Sequence, residues 1–258
     1  MPHVVHVNAF EDNYIWLIVD DSGRFCACVD PGDDEPVHAI LAAHRLTLTA
    51  ILITHHHRDH VGGIEDLRRD YPVPVYGPAH ERIPAINHRL IEGDTVSLES
   101  LGVRLAVLDV PGHTAGHIAY WGEGWLFCGD TLFSAGCGRL FEGTAEQMHR
   151  SLGKFAALPD ATAVFCAHEY TDDGLRFAAA VEPGNADVTA HRQWVSTTRR
   201  QDKPTLPSRI GLEKRINPFL RVHHPQVRAA VTHYCGRAPD TDSEVFRELR
   251  LWKDAFRG

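Results

Sequence analysis

The segment Thr54-His55-His56-His57-Arg58-Asp59-His60 begins at the last residue of the apolar run AILIT at 50–54 and precedes the helical pattern VGGIEDLRRD at 61–70. It therefore stands at the carboxyl end of a predicted strand, where α/β sheets place their ligands. Alternation along an extended backbone turns His55, His57 and Asp59 the same way, and His60 enters at the start of the helix. One loop can thus present His55 and His57 to one metal ion, and Asp59 and His60 to a second.

Three further apolar runs also end in metal-ligand residues, namely LDVPGH at His113, WLFCGD at Asp130 and VFCAH at His168. A single histidine is more often a structural residue than a ligand, but four run ends of this kind predict a common site. If they meet at one sheet edge, five histidines and two aspartates come together, which exceeds the four ligands of one tetrahedral ion. Such a set suits two ions bridged by a carboxylate and a hydroxide.

The pattern of predicted secondary structure changes near residue 170. Before it, short apolar runs alternate with helical patterns at about 35–46, 61–71, 145–156 and 172–181, which indicates an α/β sandwich. After it, strand-like runs nearly vanish: 185–201 has a helical pattern, 203–219 is Pro-rich and irregular, and 241–256 carries one apolar helical stripe. We therefore predict a catalytic domain at 1–170 and a mainly helical substrate-binding domain at 171–258.

Charge and composition narrow the class of ligand. Residues 1–170 hold 11 basic and 23 acidic residues, a net of −12, whereas residues 171–258 carry a net of +4. An acidic first part suits cations and a basic second part suits an anionic ligand. No apolar stretch approaches the length of a membrane span, the first residues lack a signal-peptide pattern, and the six cysteines form no C-x-x-C pair. We expect a cytoplasmic protein with reduced cysteines and no membrane partner.

The motif T-H-x-H-x-D-H resembles the signature of the metallo-β-lactamase fold, an αββα sandwich. The order of the chain continues the resemblance through G-H-T-x-G-H at 112–117, F-C-G-D at 127–130 and the late His168. The resemblance implies that His55, His57 and His113 bind one metal ion, that Asp59, His60 and His168 bind the other, and that Asp130 bridges them. It gives His56 and His117 no ligand role. Two divalent ions are expected, and zinc is the first expectation. Iron and manganese are the alternatives, because His and Asp ligands accept all three metals.

Finer motifs are similar to those of the glyoxalase II family. They are GDTLF at 129–133, GCGR at 136–139, FEGT at 141–144, CAHEYT at 166–171, VEPGN at 181–185 and NPFLR at 217–221. By that resemblance the glutathione contacts map to Arg139, Tyr170, Arg250 and Lys253. Phe141 departs from the family, which often has a tyrosine there, so one hydroxyl contact is missing. Arg139 replaces a lysine found in some members, which keeps the charge but not its geometry.

The resemblance implies a metal-dependent thioesterase that hydrolyses S-2-hydroxyacylglutathione, in the usual case S-D-lactoylglutathione, to glutathione and a 2-hydroxy acid. This would be the second step of methylglyoxal detoxification. A hydroxide held by the metals is the expected nucleophile, with Asp59 and Asp130 as catalytic residues. Basic side chains in the second part can pair with the carboxylates of glutathione. We expect a monomer with no nucleic-acid partner, because phosphate backbones prefer a basic groove and the chain is acidic around the metal motif.

Two alternatives to this thioesterase interpretation stay open at the level of sequence. A glutathione-persulfide dioxygenase of the same fold, using one iron, would share the first motif, yet His60 and His168 supply a second site. A non-catalytic metal-binding protein would need a closed coordination shell, whereas this ligand set leaves room for a bridging solvent. A β-lactamase or lactonase is disfavoured by the C-terminal segment, and a tRNA-processing nuclease by the acidic charge.

Overall fold

The computed structural model describes residues 1–257 and divides into two compact units. Unit 1 comprises Met1–Asp109 and Ala115–Gly129, and unit 2 comprises Val110–Thr114 and the chain from Asp130 onward. These units are defined by compactness alone. The division into a catalytic domain at 1–170 and a substrate-binding domain at 171–258 concerns function and stays a prediction.

Unit 1 contains two sheets and three helices. Its elements are β1 (His3–Ala9), β2 (Asn13–Val19), β3 (Phe25–Val29), α1 (Glu35–His44), β4 (Thr47–Leu52), α2 (Arg58–Val61), α3 (Ile64–Asp70), β5 (Val75–Pro78), β6 (His88–Leu90), β7 (Thr95–Leu98), β8 (Val103–Asp109), β9 (Ile118–Gly122) and β10 (Trp125–Gly129). The first sheet has the order β1-β2-β3-β4-β5-β6. Strand β2 pairs antiparallel with both β1 and β3, and β3 to β6 run parallel.

The strands of the first sheet are apolar and pack into the core of unit 1. All seven residues of β2, NYIWLIV, are buried, as expected of a strand covered on both faces. One core cluster joins side chains of the first sheet to apolar residues of α1 and α3, such as Leu41 and Leu67. Strands β7 to β10 form an antiparallel meander, and Tyr120 of β9 donates a 2.8 Å hydrogen bond to the carbonyl of Ile53, just beyond β4. Unit 1 thus fixes the end of β4, which carries the histidine segment.

Unit 2 is mainly helical. Its elements are β11 (Leu132–Phe133), β12 (Gly136–Cys137), α4 (Ala145–Ala156), β13 (Ala163–Cys166), α5 (Thr171–Val181), α6 (Ala186–Arg199), β14 (Ser208–Arg209), α7 (Ile210–Ile216), α8 (Pro225–Cys235) and α9 (Asp242–Ala255). Helix α4 begins where Thr144 and Gln147 form a reciprocal capping box. Strands β11 and β12 make a two-stranded hairpin, and β13 pairs antiparallel with β14.

Several elements differ from the sequence-based expectations. The helix predicted at 61–71 is α3 at Ile64–Asp70; it starts three residues later than predicted, and Gly62 and Gly63 separate it from α2, which ends at Val61. The stretch 203–219 was expected to be irregular, but it contains β14 and α7. Helix α8 lies outside every predicted helical range, since a weakly patterned helix gives little periodic signal. All six cysteines are free, as expected, and no helix within residues 1–257 is both long and apolar enough to cross a bilayer.

Candidate active site

The histidine segment leaves β4 as extended backbone and turns into α2 after His57. His57 has φ −62° and ψ 145° and serves as the N-cap of α2, so Asp59 and His60 lie on the helix. The expectation that Asp59 follows strand alternation is therefore wrong, although the helix still brings Asp59 beside His60. The side chains of His55 and His60 are completely buried. Local geometry thus groups the four residues that the sequence singled out in this segment.

The four polar side chains of this segment lie close together. His55 Nε2 is 3.1 Å from His57 Nδ1, and the ring centroids of His55 and His60 are 4.0 Å apart. His60 Nε2 lies 3.5 Å from Asp59 Oδ2. The imidazoles of His55 and His60 are buried, which is costly unless they are hydrogen-bonded or coordinate a metal, while the Asp59 carboxylate is 39% exposed. The donor set of this loop fits a divalent cation.

Asp30, at the end of β3, supports the loop and was not singled out from the sequence. Its buried carboxylate accepts hydrogen bonds from the Thr54 N–H at 2.8 Å, the Thr54 hydroxyl at 2.7 Å and His60 Nδ1 at 3.0 Å. Because Nδ1–H of His60 donates to this carboxylate, Nε2 carries the lone pair that a metal needs. Thr54 Oγ1 lies 3.1 Å from His55 Nδ1 and fixes that ring in the same sense. The apolar run FCACVD at 25–30 ends in Asp30, so the search for polar residues at the ends of apolar runs could have found this residue.

Two further contacts hold Asp59. The side-chain amide of Asn13 donates a 3.0 Å hydrogen bond to Asp59 Oδ2. Gly32 packs so closely that a Cβ there would lie 1.8 Å from the Asp59 carbonyl oxygen, so no other residue fits at that position. Neither Asn13 nor Gly32 carried a sequence signal, because their importance depends on contacts over 27 to 46 residues of chain.

His56 and His117 lie beside the histidine group without joining it. His56 turns away, as alternation predicts, and its Nδ1 is 2.9 Å from a carboxylate oxygen of buried Glu81. His117 is completely buried and stacks on His55, with ring centroids 4.6 Å apart and an angle of 18° between the planes. These contacts suit two residues to which the resemblance gives no ligand role.

In unit 2, one buried carboxylate faces two imidazoles. Asp130 Oδ2 is 3.3 Å from His113 Nε2, and Asp130 Oδ1 is 3.4 Å from His168 Nε2. His113 Nδ1 lies 2.8 Å from the carbonyl oxygen of Arg139, which fixes its ring so that Nε2 points at Asp130. All three side chains are at least nine-tenths buried. Both oxygens of Asp130 thus face nitrogens that can share a cation with them.

A cavity of about 620 Å³ opens beside this group. Its volume lies within the range of small-molecule sites. It is lined by His113 and Asp130 and by the four side chains that the sequence assigned to substrate, Arg139, Tyr170, Arg250 and Lys253. Tyr170 stacks on His168, with centroids 4.7 Å apart and planes 5° from parallel. Exposed Phe141 also lines the cavity and makes a T-shaped ring contact with His113, with ring centroids 5.2 Å apart.

Helix α9 contributes two cationic side chains to the cavity, Arg250 and Lys253, and they have different partners. Arg250 is almost completely buried; its Nη1 donates to the Cys137 carbonyl at 2.8 Å and its Nη2 to Asp254 at 3.0 Å. Its Nε has no hydrogen-bond partner among the described residues, so an acceptor can be added there. Lys253 pairs with Asp173; burial lowers its pKa, and the neighbouring Asp173 carboxylate partly offsets this. The cavity is electrostatically suited to carboxylates.

The thiol of Cys137 also lines the cavity but is a poor nucleophile. Burial raises its pKa to about 11, an effect only partly offset by the nearby Arg250 guanidinium. A thiol with that pKa is almost entirely protonated at neutral pH. The nucleophile therefore does not come from Cys137.

Comparisons with known proteins give the family. Residues 10–168 match the model of the metallo-beta-lactamase superfamily, and residues 169–256 match the model described as the hydroxyacylglutathione hydrolase C-terminus. The hydroxyacylglutathione hydrolase of Alkalilimnicola ehrlichii is 55% identical over 254 residues, covering 98% of this chain and 99% of the relative. That of Photobacterium profundum is 53% identical over 254 residues, covering 98% of this chain and 99% of the relative.

Solved structures agree on the fold. ETHE1 from Myxococcus xanthus aligns with a TM-score of 0.67 at 24% identity, covering all of this chain and 92% of that one. TTHA1623 in a di-iron-bound form aligns with a TM-score of 0.59 at 25% identity, covering 85% of this chain and all of that one. The predicted fold class, an αββα metallo-β-lactamase fold with a mainly helical C-terminal region, is confirmed. The fold and the His and Asp groups suit a site for divalent metal.

Proposed function

The chain belongs to the hydroxyacylglutathione hydrolase family of the metallo-β-lactamase superfamily, and on that basis we propose that it hydrolyses S-2-hydroxyacylglutathione, in particular S-D-lactoylglutathione. The observation that carries this proposal is the cavity of unit 2, which combines a buried imidazole–carboxylate group with cationic side chains. Relatives at 48–55% identity over nearly the whole chain have the hydrolase name, which favours the thioesterase over the dioxygenase and over a non-catalytic protein.

We propose that seven side chains hold two divalent ions. His55, His57 and His113 would bind one, Asp59, His60 and His168 the other, and Asp130 both. Support comes from the geometry within each unit and from the superfamily model, which spans all seven residues. The di-iron-bound form of TTHA1623 supports the count of two, and zinc is our first expectation for this chain.

We propose that Arg139, Arg250, Lys253 and Tyr170 bind the glutathione portion. Arg250 offers a buried Nε that lacks a hydrogen-bond partner among the described residues, and Lys253 can exchange its Asp173 partner for a substrate carboxylate. Arg139 lines the same cavity, and its backbone is anchored there because its carbonyl oxygen lies 2.8 Å from His113 Nδ1. Phe141 adds apolar contact there but no hydroxyl.

The reaction needs little from the protein beyond positioning. When bound, the ions would supply Lewis acidity and lower the pKa of water to near neutrality. Asp59, whose carboxylate is held by Asn13, would orient the attacking water and accept its hydrogen bond. The glutathione thiolate leaves with a pKa of about 8.5, so it requires little protonation. Arg250 and Lys253 would hold the leaving group in place until it departs.

The remaining parts of the proposal concern context. The 1–170 part would supply the metal ligands together with Arg139 and Tyr170, and the 171–258 part would supply the glutathione contacts Arg250 and Lys253. We propose that the protein acts as a monomer in the cytoplasm, without nucleic-acid or membrane partners. The acidic first part and the basic second part fit this division of labour.

Steady-state hydrolysis of S-D-lactoylglutathione, run beside elemental analysis of the same sample, tests the function. We expect the assay to show release of the glutathione thiol. We expect the elemental analysis to show two metal ions bound per chain. Oxygen uptake with glutathione persulfide is the matched measurement for the dioxygenase alternative. A metal-loaded protein that consumes oxygen and leaves the thioester intact contradicts the proposal.

A further inference from the structure

Glu213 of α7 is a completely buried carboxylate that the proposed chemistry does not use. Oε1 accepts hydrogen bonds from the hydroxyls of Ser134, at 2.9 Å, and Ser208, and Oε2 accepts them from the Ala135 N–H at 2.8 Å and the Asn217 amide at 3.1 Å. Burial raises the pKa of Glu213, although these bonds act in the opposite direction. No basic side chain within residues 1–257 pairs with it.

Two of the four hydrogen bonds that Glu213 accepts come from one turn. Ser134 and Ala135 are the two residues that connect β11 to β12. Ala135 has φ 56°, in the left-handed region that costs an L-residue about 1–2 kcal/mol. A carboxylate that binds both the Ser134 hydroxyl and the Ala135 N–H stabilises this conformation over the ordinary ones.

Asn217, one helical turn after Glu213, holds the same hairpin from its other side. Its amide donates to the carbonyl of Phe133 at 3.1 Å and to that of Gly136 at 2.9 Å, while also contacting Glu213. Helix α5 closes a third side, because a Cβ at Gly174 would lie 2.5 Å from the Ser134 carbonyl oxygen. The turn is therefore enclosed on three sides by fixed groups.

The outer face of this hairpin is a wall of the substrate cavity. Phe133, Ser134, Gly136 and Cys137 all line it. The Cys137 carbonyl accepts the 2.8 Å hydrogen bond from Arg250 Nη1, which links the hairpin to a cation proposed to bind substrate. A buried carboxylate is an expensive way to gain stability alone, since apolar replacements are often neutral or better. Its cost is more readily explained by the conformation that it specifies.

We propose that Glu213, acting with Asn217, is a positioning residue for glutathione recognition. It fixes the Ser134–Ala135 turn, and through the Cys137 carbonyl it sets the guanidinium of Arg250 for a substrate carboxylate. The inference rests on the proposed hydrolase function and adds to it a residue that lies behind the cavity and touches no substrate.

The test is Glu213→Gln, which keeps the shape but replaces one acceptor oxygen with an amide donor. We expect KM for S-D-lactoylglutathione to rise about tenfold, with kcat within about threefold of wild type. The lactoyl thioester of N-acetylcysteamine lacks both carboxylates, so its kcat/KM should not change. Metal content should also stay the same.

Ser208→Ala is the matched control. It removes a hydroxyl donor to the same oxygen of Glu213, but Ser208 lies on β14 and not on the hairpin. It should lower the thermal midpoint without changing KM. Should Glu213→Gln fail to fold, Ser134→Ala removes one hydrogen bond at the hairpin itself and should raise KM about threefold.

The outcomes separate the inference from the function. A wild-type protein that does not hydrolyse S-D-lactoylglutathione sinks the proposed function. An active wild type whose Glu213→Gln variant keeps its KM, or loses activity equally on both thioesters, overturns the positioning role alone.

Discussion

Asp30 in unit 1 and Glu213 in unit 2 are two buried carboxylates with different tasks. Each accepts several hydrogen bonds from a loop distant in sequence, and each fixes that loop. Asp30 holds the histidine segment through Thr54 and His60, next to the proposed metals. Glu213 holds the hairpin of the substrate cavity and touches none of the proposed metal ligands. A buried carboxylate that fixes a distant loop thus lies behind the proposed metal ligands in unit 1 and behind the proposed substrate cavity in unit 2.

The difference shows how to separate the two tasks by experiment. Loss of a group behind the metal ligands should change metal content and kcat, whereas loss of a group behind the substrate cavity should change KM. Four sets of variants test whether metal binding and substrate recognition separate in this way.

The strongest challenge to the comparison is Asp130, which lies in unit 2 but is proposed to bind metal. Asp130→Ala should remove much of the bound metal and lower kcat/KM by more than about a thousandfold, beyond the effect of groups behind the ligands. Elemental analysis and steady-state kinetics measure both quantities. Asp160→Ala, which alters an exposed residue paired with Lys214, is the control. Full activity with intact metal would refute the bridging role.

The recognition side is tested most directly at α9. Arg250→Ala combined with Lys253→Ala should raise KM for the glutathione thioester about a hundredfold, because two charged hydrogen-bond donors are lost, while metal content stays constant. Arg247→Ala combined with Arg237→Ala removes two cations elsewhere in unit 2 and should leave KM unchanged. An unaltered KM in the first double variant removes the glutathione assignment from this cavity.

The chemistry side is tested at Asp30. Asp30→Asn keeps the shape but weakens the hydrogen bond to His60 Nδ1, so metal affinity should fall about 10- to 100-fold with little change in KM. Competition with a chelator measures the affinity. Asp21→Asn, at an exposed position of unit 1, is the matched control. If Asp30→Asn raises KM and spares the metal, the contrast with Glu213 is lost.

The smallest expected effect concerns pH. Burial lowers the pKa of Lys253, so its ammonium loses a proton at a pH below its usual 10.5 and with it the attraction for a carboxylate. The inhibition constant of S-hexylglutathione should therefore rise between pH 7 and pH 10. Lys253→Arg stays charged and should flatten that rise. Since the inhibitor titrates identically with both proteins, equal slopes would exclude Lys253 as the cause.

Local sequence patterns were sufficient for much of the fold and for the candidate residues. The run ends at His55, His113, Asp130 and His168 were visible because apolar runs and their polar successors are short-range features. Family and fold class are confirmed by the comparisons, while the roles of individual residues stay predictions. The helix predicted at 61–71 is present as α3 at Ile64–Asp70 and starts after the two glycines, whereas the expectation of an irregular stretch at 203–219 was wrong. Proline-rich composition concealed β14 and α7 in that stretch.

The sequence by itself determined which side chains can do the chemistry and which family the chain resembles. Only the tertiary structure decided what holds them. Asp30 reaches Thr54 and His60 over 24 and 30 residues, and Glu213 reaches the hairpin over 78 and 79. Such contacts produce no periodic pattern in the sequence, because they depend on where the folded backbone brings distant segments together. A buried carboxylate reads as an ordinary charged residue until the structure shows its donors.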